Sequence, residues 1–472
     1  MSDTREPKYG EKAGPGDGDA GGAAEDLYGL SPKLVHKITE ALDEGRRKRV
    51  RRLVRPLSYA DIADLIEQLS NEERLRLLDY IRDTFNPEVL TELDRRVRSA
   101  VIAELGLENI ARAVAELDSD DAVYLLGELD ALEQQKILAA VPVRDRRILE
   151  EGLSYPEDSA GRLMQREFVA VPSHWTVGNT IDYLREARDL PDEFYDIYVV
   201  DAAYRPLGNV NLSQILRSRR PVRVTAVIHP QTIAIPANMD QEEVAFLFRQ
   251  HDLTSAAVVD ESGRLIGTVT IDDIVDVIHE EAEEDIHRLA GVERDDLYGA
   301  VMDTTKARFR WLLLNLGTAV LASLVIGLFE ATLEQAVALA ILMPIVASMG
   351  GNAGTQSLTV AVRALATKEL TAANTVRVVW KETLVGLFCG IAFAVIAAAV
   401  AWLWFGSPEI GGIIAGAMVL TLLVANLSGT LIPIALTRMN IDPAIASSVF
   451  LTTVTDVVGF FTFLGFAAIV FQ

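Results

Sequence analysis

Long apolar runs dominate the C-terminal third of the chain. A helix needs roughly 20 predominantly apolar residues to cross a bilayer. Their length and number favour membrane spans over the alternative, five buried helices of a soluble protein. We therefore predict an α-helical membrane domain over residues 308–472 with five transmembrane helices: Trp311–Phe329, Ala336–Leu365, Thr383–Phe405, Ile410–Leu436 and Pro443–Val470.

The connections between these runs predict how the chain crosses the membrane. Lys and Arg mark the cytoplasmic side. They precede the first run, surround the junction of the second and third, and separate the fourth from the fifth, whereas FEATLEQ and FGSPEIGG carry only acidic charge. Five spans then place the N-terminus inside and the C-terminus outside. The basic residues concerned are Lys306, Arg308, Arg310, Arg363, Lys368, Arg377, Lys381 and Arg438.

Amphipathic helical patterns fill residues 29–157. Ser58 is predicted to cap one of these helices. The segment IADLIEQLSNEERLRLL from Ile62 aligns with IARAVAELDSDDAVYLL from Ile110, 48 residues later. Such a period predicts stacked helical pairs that form an all-α superhelix. Residues 1–28 are acidic, rich in Gly and poor in bulky apolar residues, so we predict a disordered tail.

Short strands alternate with helices over residues 158–280. The segment IYVVDAAYRPLGNVNLSQIL aligns with AAVVDESGRLIGTVTIDDIV, 59 residues later, so that Asp201 and Gly208 fall on Asp260 and Gly267. Each unit reads as strand, Gly-containing turn, strand and helix. This resembles a tandem pair of CBS domains, α+β modules that commonly sense adenosine nucleotides or metal ions. The resemblance leaves ATP open as a ligand of the pair.

Charge separates the two halves of the chain. From Arg308 to the end there are seven basic and seven acidic residues, so the whole net charge of −23 lies in the first 307 residues. Nucleic acid is excluded as a partner, because phosphate binding requires basic patches; cations are the expected partners. Cys389 is the only cysteine, which excludes a disulfide framework or a thiolate metal site. No apolar core follows MSDTREPKYG, so no cleavable signal peptide is predicted.

An acidic helix leads from the second CBS-like unit toward the first span. Asp273, Asp276, Glu280 and Glu284 share one face at helical spacing, where like charges repel. A solvated charged face is the alternative interpretation. Because oxygen ligands suit hard cations, the pattern favours Mg²⁺ or Ca²⁺ binding next to a connecting helix over residues 281–307.

Two of the spans contain polar groups that are costly at membrane depth. In MPIVASMGGNAGTQS, Pro344 and three glycines predict a broken helix whose exposed carbonyls line an ion path. In the last run, Ser448, Thr452 and Asp456 form a polar stripe, with Asp456 near mid-membrane. The alternative is a structural aspartate that is hydrogen-bonded in the region of Asn352 and Gln356.

One carboxylate per chain is a weak site for a bare divalent ion. Mg²⁺ loses its water reluctantly, so a suitable site binds the hydrated ion through carboxylates and carbonyls. Twofold homodimers are the commonest assembly and would bring two copies of Asp456 together.

Four motifs, in this order, resemble the MgtE family of magnesium channels: YPEDSAGRLM, IDDIVDVIHEEAEEDIHRL, MPIVASMGGNAGTQS and DPAIASSVFLTTVTDVVGF. The resemblance covers nearly the whole chain from about residue 30. It implies a homodimeric, Mg²⁺-selective channel that closes when cytosolic Mg²⁺ binds the N-terminal and CBS domains. The connecting helix over residues 281–307 would act as a plug between sensor and pore.

The resemblance also implies residue roles. Asp456 would be the selectivity carboxylate, with pore-lining positions at Gly350, Gly351, Asn352, Ser448 and Thr452. The regulatory metal ligands would be Asp120, Glu242, Asp252, Asp273, Asp276, Glu281, Glu284 and Asp285. Two departures are notable: Tyr124 stands where relatives often have an acidic residue, and Ser448 where some have Asn.

Three other functions compete with this interpretation. A proton-coupled secondary transporter of divalent cations would use Asp456 as a proton carrier. A nucleotide-controlled anion channel is disfavoured by the acidic residue at mid-pore. A membrane-anchored sensor leaves the polar stripe unexplained. No catalytic dyad, nucleophile motif or phosphate loop stands out, so an enzyme is not expected.

Overall fold

The computed structural model describes residues 30–188, 190–191, 194–229, 233–292, 301–371, 373–439 and 441–471. The chain divides into two compact units, the first formed by Met1–Gln241 with Thr254–Thr270 and the second by Glu242–Leu253 with Ile271–Gln472. The predicted disordered tail over residues 1–28 lies outside the described residues.

The first unit begins with a helical domain around one apolar core. Ser58 caps its helix through a capping box with Asp61, as its position predicts. The 48-residue repeat is visible in burial, since Leu77 and Leu78 and their counterparts Leu125 and Leu126 have no exposed area. The helices are α1 (Pro32–Asp43), α2 (Arg47–Val54), α3 (Tyr59–Gln68), α4 (Asn71–Ile81), α5 (Val89–Glu92), α6 (Arg95–Leu105), α7 (Leu107–Glu116), α8 (Ser119–Gly127), α9 (Ala131–Ala140), α10 (Val143–Ser154) and α11 (Ala160–Leu163).

Two small sheets with the same topology follow. In each sheet the first strand is parallel to the second and the second is antiparallel to the third. The predicted repeat extends to detail, because Asp201 and Asp260 each accept two backbone N–H groups in the turn between the paired strands. The elements are β1 (Val169–Pro172), α12 (Val177–Glu186), β2 (Asp196–Val200), β3 (Pro206–Asn211), α13 (Leu212–Arg217), β4 (Ala234–Pro236), β5 (Ser255–Val259) and β6 (Leu265–Thr270).

A buried tyrosine joins the two sheets. The Tyr198 hydroxyl on β2 lies 2.8 Å from Ser255 Oγ on β5 and 2.5 Å from Thr268 Oγ1 on β6. Asp196, also buried, accepts a hydrogen bond from Ser255 at 2.7 Å. Buried polar groups need partners, and here the two repeats supply them to each other.

The second unit contains the helices that are long and apolar enough to cross a membrane. Among the described residues there are five such segments, which confirms the predicted number, and their ends differ from the predicted ones by up to eight residues. The helices of this unit are α14 (Gln241–His251), α15 (Ile271–Ala290), α16 (Val301–Gly327), α17 (Glu330–Gln335), α18 (Val337–Ala366), α19 (Thr375–Phe405), α20 (Pro408–Arg438) and α21 (Pro443–Val470). The candidate spans lie in α16, α18, α19, α20 and α21.

The predicted break in the second span is wrong. Helix α18 runs unbroken through Pro344 and all three glycines. Gly350 and Gly354 serve packing instead, whereas a Cβ on Gly351 would meet no atom within 4 Å. A Cβ on Gly350 would lie 2.8 Å from Thr421 Cγ2, one on Gly354 would lie 2.9 Å from Leu451 Cδ1, and one on Gly429 of α20 would collide with the Gly354 carbonyl. Small residues at such crossings let membrane helices approach closely, and this packing offsets the low helix propensity of glycine.

The connecting segment also differs from the expected single helix over residues 281–307. Helix α15 continues directly from the second CBS-like unit and ends at Ala290, where Gly291 has a φ of +68°. Gly291 packs against the Trp311 indole, with no room for a Cβ. The next described helix, α16, begins at Val301. A residue that needs both a positive φ and close contact ends a helix whatever the propensity of its neighbours.

Candidate ion pathway and acidic regulatory sites

Helix α21 carries the predicted polar stripe. Its start is fixed by Asp442, whose carboxylate accepts the Ala444 N–H at 2.7 Å, and by Pro443 in the first turn. Thr452 is exposed, while Ser448 and Asp456 are half-buried in the single chain. The stripe therefore lies on an outward face of the helix.

The Asp456 carboxylate has no hydrogen-bond partner or ion pair within the part of the chain that the structure describes. The proposed structural alternative required bonds from Asn352 or Gln356. Asn352 Nδ2 instead lies 3.5 Å from Ser348 Oγ on its own helix. A half-buried carboxylate without a protein partner is stable at membrane depth when water or a cation solvates it.

Gly350 of α18 lies at the level of Asp456. A Cβ on Gly350 would be 2.8 Å from Thr421 Cγ2 and 3.6 Å from Thr455 Cβ, the residue just before Asp456. Gly459, one turn further along α21, faces the same threonine methyl group at 3.5 Å. Thr421 thus fixes the relative depth of the two helices that carry the predicted pore positions.

A second polar line follows the outward face of α18. Gly351 is half-buried, and Asn352 is exposed. The other exposed polar residues of this line are Ser348, Thr355, Gln356 and Thr359, none of which was predicted to line the pore. Their spacing of three and four residues could have identified them. Polar groups at this depth face water or another protein surface rather than lipid.

The predicted acidic positions on α15 lie on a helix, as expected. The pKa of Asp276 is raised, first by desolvation and then by the neighbouring carboxylates Glu280 and Asp272, with His279 opposing them. Asp273, Glu281 and Glu284 are half-buried. The charged face of this helix is therefore under mutual repulsion, which a cation would relieve.

The end of α15 brings together residues that the sequence did not connect. Burial raises the pKa of Asp285 to about 6, and the Asp442 and Glu281 carboxylates contribute to the shift. Arg288 forms ion pairs with both Glu284 and Asp442. Asp442, the N-cap of α21, thus also neighbours the end of α15.

Helix α14 carries Glu242, which is half-buried, and Asp252 follows its end with a φ of +51°. Two contacts connect α14 to the connection between α18 and α19. Lys368 Nζ lies 2.9 Å from Glu243 Oε1, and Arg249 Nη2 donates to the Thr367 carbonyl at 3.3 Å. The sequence analysis missed this second attachment to the membrane helices.

Asp120 lies in the first unit, at the start of α8, where it is 9% exposed and accepts the Asp121 N–H at 2.9 Å. Tyr124, one turn later, packs over the Arg98 guanidinium, whose carbon lies 4.8 Å from the ring centroid. Arg98 is buried and pairs with Glu128 at 2.6 Å. The aromatic ring thus occupies the position, one turn after Asp120, at which the sequence analysis identified a departure from the family pattern.

No three His, Cys, Asp or Glu side chains gather into a ready metal cage in the described portion of the chain. The candidate ligands occur instead as single residues and neighbouring pairs on α8, α14, α15 and α21. Such an arrangement suits a hydrated cation, which keeps several of its waters and needs one or two carboxylates.

Three family models match the chain. The MgtE model, described as a divalent cation transporter, matches residues 343–466; the model for the MgtE intracellular N domain matches residues 57–158; and the CBS domain model matches residues 224–280. The transporter match contains the polar positions of α18 and α21. The CBS match covers the second of the two sheets with the same topology.

Named relatives cover most of the chain. It is 31% identical over 441 residues to the magnesium transporter MgtE of Bacillus subtilis, and the aligned region covers 92% of this chain and 97% of that protein. It is 33% identical over 458 residues to the magnesium transporter MgtE of Thermus thermophilus, and the aligned region covers 94% of this chain and all of that protein. A crystal structure of the cytosolic domain of the Mg²⁺ channel MgtE in complex with ATP is 32% identical, covers 52% of this chain and 99% of that one, and has a TM-score of 0.48.

Proposed function

Since the chain belongs to the MgtE family of magnesium transporters, we propose that it is a Mg²⁺-selective channel that mediates magnesium uptake and closes when cytosolic Mg²⁺ binds its N-terminal half. The observation that carries this proposal is the half-buried Asp456 carboxylate at mid-span, which has no protein partner among the described residues. The relatives of this chain are named as transporters, not as enzymes.

Asp456 is the proposed selectivity group. Hydrated Mg²⁺ binds through water to one or two carboxylates and to carbonyl oxygens. Gly350 lies at the depth of Asp456, and Thr452 and Ser448 continue the polar face toward the start of α21. In this proposal, Gly351 and Asn352 line the ion pathway from the facing helix, α18. An acidic group at the narrowest level attracts cations and repels anions.

A second copy of the chain is the proposed partner. The polar lines of α18 and α21 consist of exposed and half-buried residues in the single chain, and lipid cannot solvate them. A twofold homodimer would cover both lines and bring two Asp456 carboxylates to one ion. In this dimer, the second Asp456 carboxylate supplies the additional negative charge that a divalent cation needs.

Gating is proposed to follow from repulsion among cytosolic carboxylates. On α15, desolvation raises the pKa values of Asp276 and Asp285, and repulsion by neighbouring carboxylates adds to both shifts. Bound Mg²⁺ would favour the closed arrangement, in which α15 stays against the start of α21. The proposed ligands are Asp120, Glu242, Asp252, Asp273, Asp276, Glu281, Glu284 and Asp285, and we add Asp442 as their neighbour on the membrane side.

The chain is a multi-pass membrane protein with a cytoplasmic N-terminal half. The proposed topology has five spans and an external C-terminus. ATP is a further proposed ligand of the CBS pair, whose matched sheets suit a two-lobed nucleotide site. Binding of ATP to the full-length protein, measured by isothermal titration calorimetry with GTP as the comparison, tests this assignment.

The uptake proposal is tested with purified protein in liposomes, without a proton gradient. Wild type is expected to take up Mg²⁺, and Asp456→Asn is expected to lose uptake while remaining folded. Glu334→Gln, which removes an acidic residue outside the predicted spans, is the matched control and should transport normally. Uptake that requires a pH gradient would favour the proton-coupled transporter, and an Asp456→Asn variant equal to wild type would remove Asp456 from the pathway.

A further inference from the structure

Three membrane helices meet at a buried polar cluster that lies apart from the proposed pathway. Glu382 on α19 is 7% exposed, Ser357 on α18 is 2% exposed, and Asn426 on α20 is 5% exposed. Ser357 Oγ lies 2.9 Å from Glu382 Oε2 and 2.6 Å from Asn426 Oδ1. The sequence analysis missed this cluster, because Glu382 precedes the predicted start of its span by one residue.

The orientation of the Asn426 amide is fixed by its own helix. Its Nδ2 donates to the Leu422 carbonyl at 2.9 Å. A carbonyl oxygen can only accept, so the nitrogen must face Leu422 and the oxygen must face Ser357. Asn426 Oδ1 therefore accepts a hydrogen bond from Ser357.

Ser357 has one hydroxyl proton, and that proton is used on Asn426. The 2.9 Å approach of Glu382 Oε2 to Ser357 Oγ then lacks a donor if Glu382 is a carboxylate, because an ionised carboxylate has only acceptor oxygens. A protonated carboxyl supplies the missing hydrogen. We propose that Glu382 is a proton-binding site, a neutral acid whose O–H donates a hydrogen bond to Ser357. The Ser357 hydroxyl in turn donates to Asn426, and the Asn426 amide donates to the Leu422 carbonyl.

The surroundings support a neutral group. A Cβ on Gly386 would lie 2.9 Å from both Asn426 Cβ and the Leu422 carbonyl, and one on Gly429 would lie 3.1 Å from Ser357 Cβ. The helices are therefore in close contact around the cluster. Because the desolvation cost of a buried carboxylate can exceed what one ion pair returns, a neutral acid that donates a hydrogen bond is the less costly form here.

Lys381 is the charged group that the structure records near Glu382. Its Nζ lies 3.6 Å from Oε1, beyond hydrogen-bond range, and its side chain is 70% exposed. It approaches the other carboxyl oxygen, so it leaves the donor count at Oε2 unchanged. Solvent screens the exposed Lys381 ammonium group, whereas the Glu382 side chain of this pair is only 10% exposed.

The bound proton connects α18, α19 and α20. Ser357 lies on the buried face of α18, while Asn352 and Gln356 lie on the exposed face of the same helix. The proton thus positions the helix that carries the second polar line. Glu382 is a positioning residue, and its protonation does not depend on which ion the protein carries.

Infrared difference spectroscopy of the full-length protein in liposomes at neutral pH tests the proposal. The spectrum of wild type minus Glu382→Gln is expected to contain the carbonyl stretch of a protonated carboxylic acid. Glu409→Gln, which alters an exposed acidic residue at the start of α20, is expected to remove only carboxylate bands. Loss of carboxylate bands alone in Glu382→Gln would overturn the proposal.

Variants that alter the hydrogen-bond chain give a second readout. Glu382→Gln keeps a donor at the same position, so its melting temperature is expected to stay close to that of wild type, whereas Glu382→Ala should melt lower. Ser357→Ala removes the acceptor of the acid proton and should shift the wild-type acid band to the frequency of a free acid. This variant tests the assignment even if Glu382→Gln does not fold. An unshifted band, or a Glu382→Gln variant as unstable as Glu382→Ala, would contradict it.

Discussion

Arg288 near the end of α15 forms an ion pair with Asp442, the residue that caps α21. The same arginine pairs with Glu284, one turn earlier on its own helix. A single guanidinium therefore holds a carboxylate of α15 next to one at the start of α21, the helix that carries Asp456. In the proposed gating mechanism, bound Mg²⁺ reinforces this contact.

Removal of that guanidinium should increase the effect of Mg²⁺. In Arg288→Gln the Glu284, Asp285 and Asp442 carboxylates lose their neighbouring cation and repel one another more strongly. We expect a lower melting temperature without Mg²⁺ and a larger rise on Mg²⁺ addition than in wild type. Thermal unfolding of the detergent-solubilised protein measures both, with Arg438→Gln as the control for loss of one exposed cation.

The pH dependence at Asp285 has a defined sign. Its pKa is raised from 3.8 to about 6 in the folded chain, so the folded state binds more protons than the unfolded state between these values. Stability from this group is therefore greatest below that window and is lost as the pH rises through about 6. At pH 7 without Mg²⁺, Asp285→Asn is expected to melt higher than wild type by about 1–3 °C.

That advantage of Asp285→Asn should shrink toward zero at pH 4, where wild type also carries a neutral group, and should shrink on addition of Mg²⁺ at pH 7. The difference between the two proteins isolates this carboxyl from the many others. An advantage that is independent of pH would show that the amide improves packing rather than relieving charge.

The crossing of α18 and α20 should not tolerate a methyl group. Gly429→Ala places its Cβ against the Gly354 carbonyl, and overpacking of this kind costs about 1–3 kcal/mol. Gly412→Ala on the same helix meets no atom within 4 Å and is the matched control. Unfolding in detergent should show a lower stability for the first variant and little change for the second. Equal stabilities would mean that the two helices separate without cost.

The Tyr198 hydroxyl should contribute to the joint between the two sheets. Tyr198→Phe removes two buried hydrogen bonds, at about 0.5–1.5 kcal/mol each. Tyr204→Phe is the control, since that side chain is 42% exposed. Thermal unfolding should separate the two variants, and a neutral Tyr198→Phe would indicate that the bonds from Ser255 to Asp196 and from Thr268 to the Ala256 carbonyl are sufficient.

Tyr124 should limit the contribution of the N-terminal domain to gating. Tyr124→Asp adds a carboxylate one turn after Asp120, so we expect closure of the channel at a lower Mg²⁺ concentration. It also removes the ring that packs over Arg98, which Tyr124→Phe retains. Liposome flux measured against the Mg²⁺ concentration on the cytoplasmic side compares the two variants. A wild-type response in Tyr124→Asp would exclude a role for this position.

Much of the architecture is predictable because it is encoded locally. Span length sets the five apolar helices, and Ser58 with Asp61 sets a cap within four residues. The repeat that pairs Asp201 with Asp260 is also local, because each aspartate organises its own turn. The position of Asp456 at mid-span follows from counting alone.

The errors have a common physical origin in contacts between distant residues. Glycines in α18 predict a break when the sequence is read alone, yet Thr421, Leu451 and Gly429 complete their packing from other helices. The pairing of Arg288 with Asp442 spans 154 positions. Glu382 lies inside a helix that begins eight residues before its predicted start, so no local pattern marks it as buried.

The unbroken course of α18 determines what kind of motion can open or close the pathway. Thirty residues at about 1.5 Å each make a rod about 45 Å long, with Gly350 near its middle. Just beyond its end, Lys368 contacts Glu243 of α14. Without a flexible joint to absorb displacement, a push at Lys368 tilts the whole rod. In the proposed gating mechanism, the helix would act as a lever, so that a small movement at the cytosolic end would change the width of the pathway at the level of Asp456.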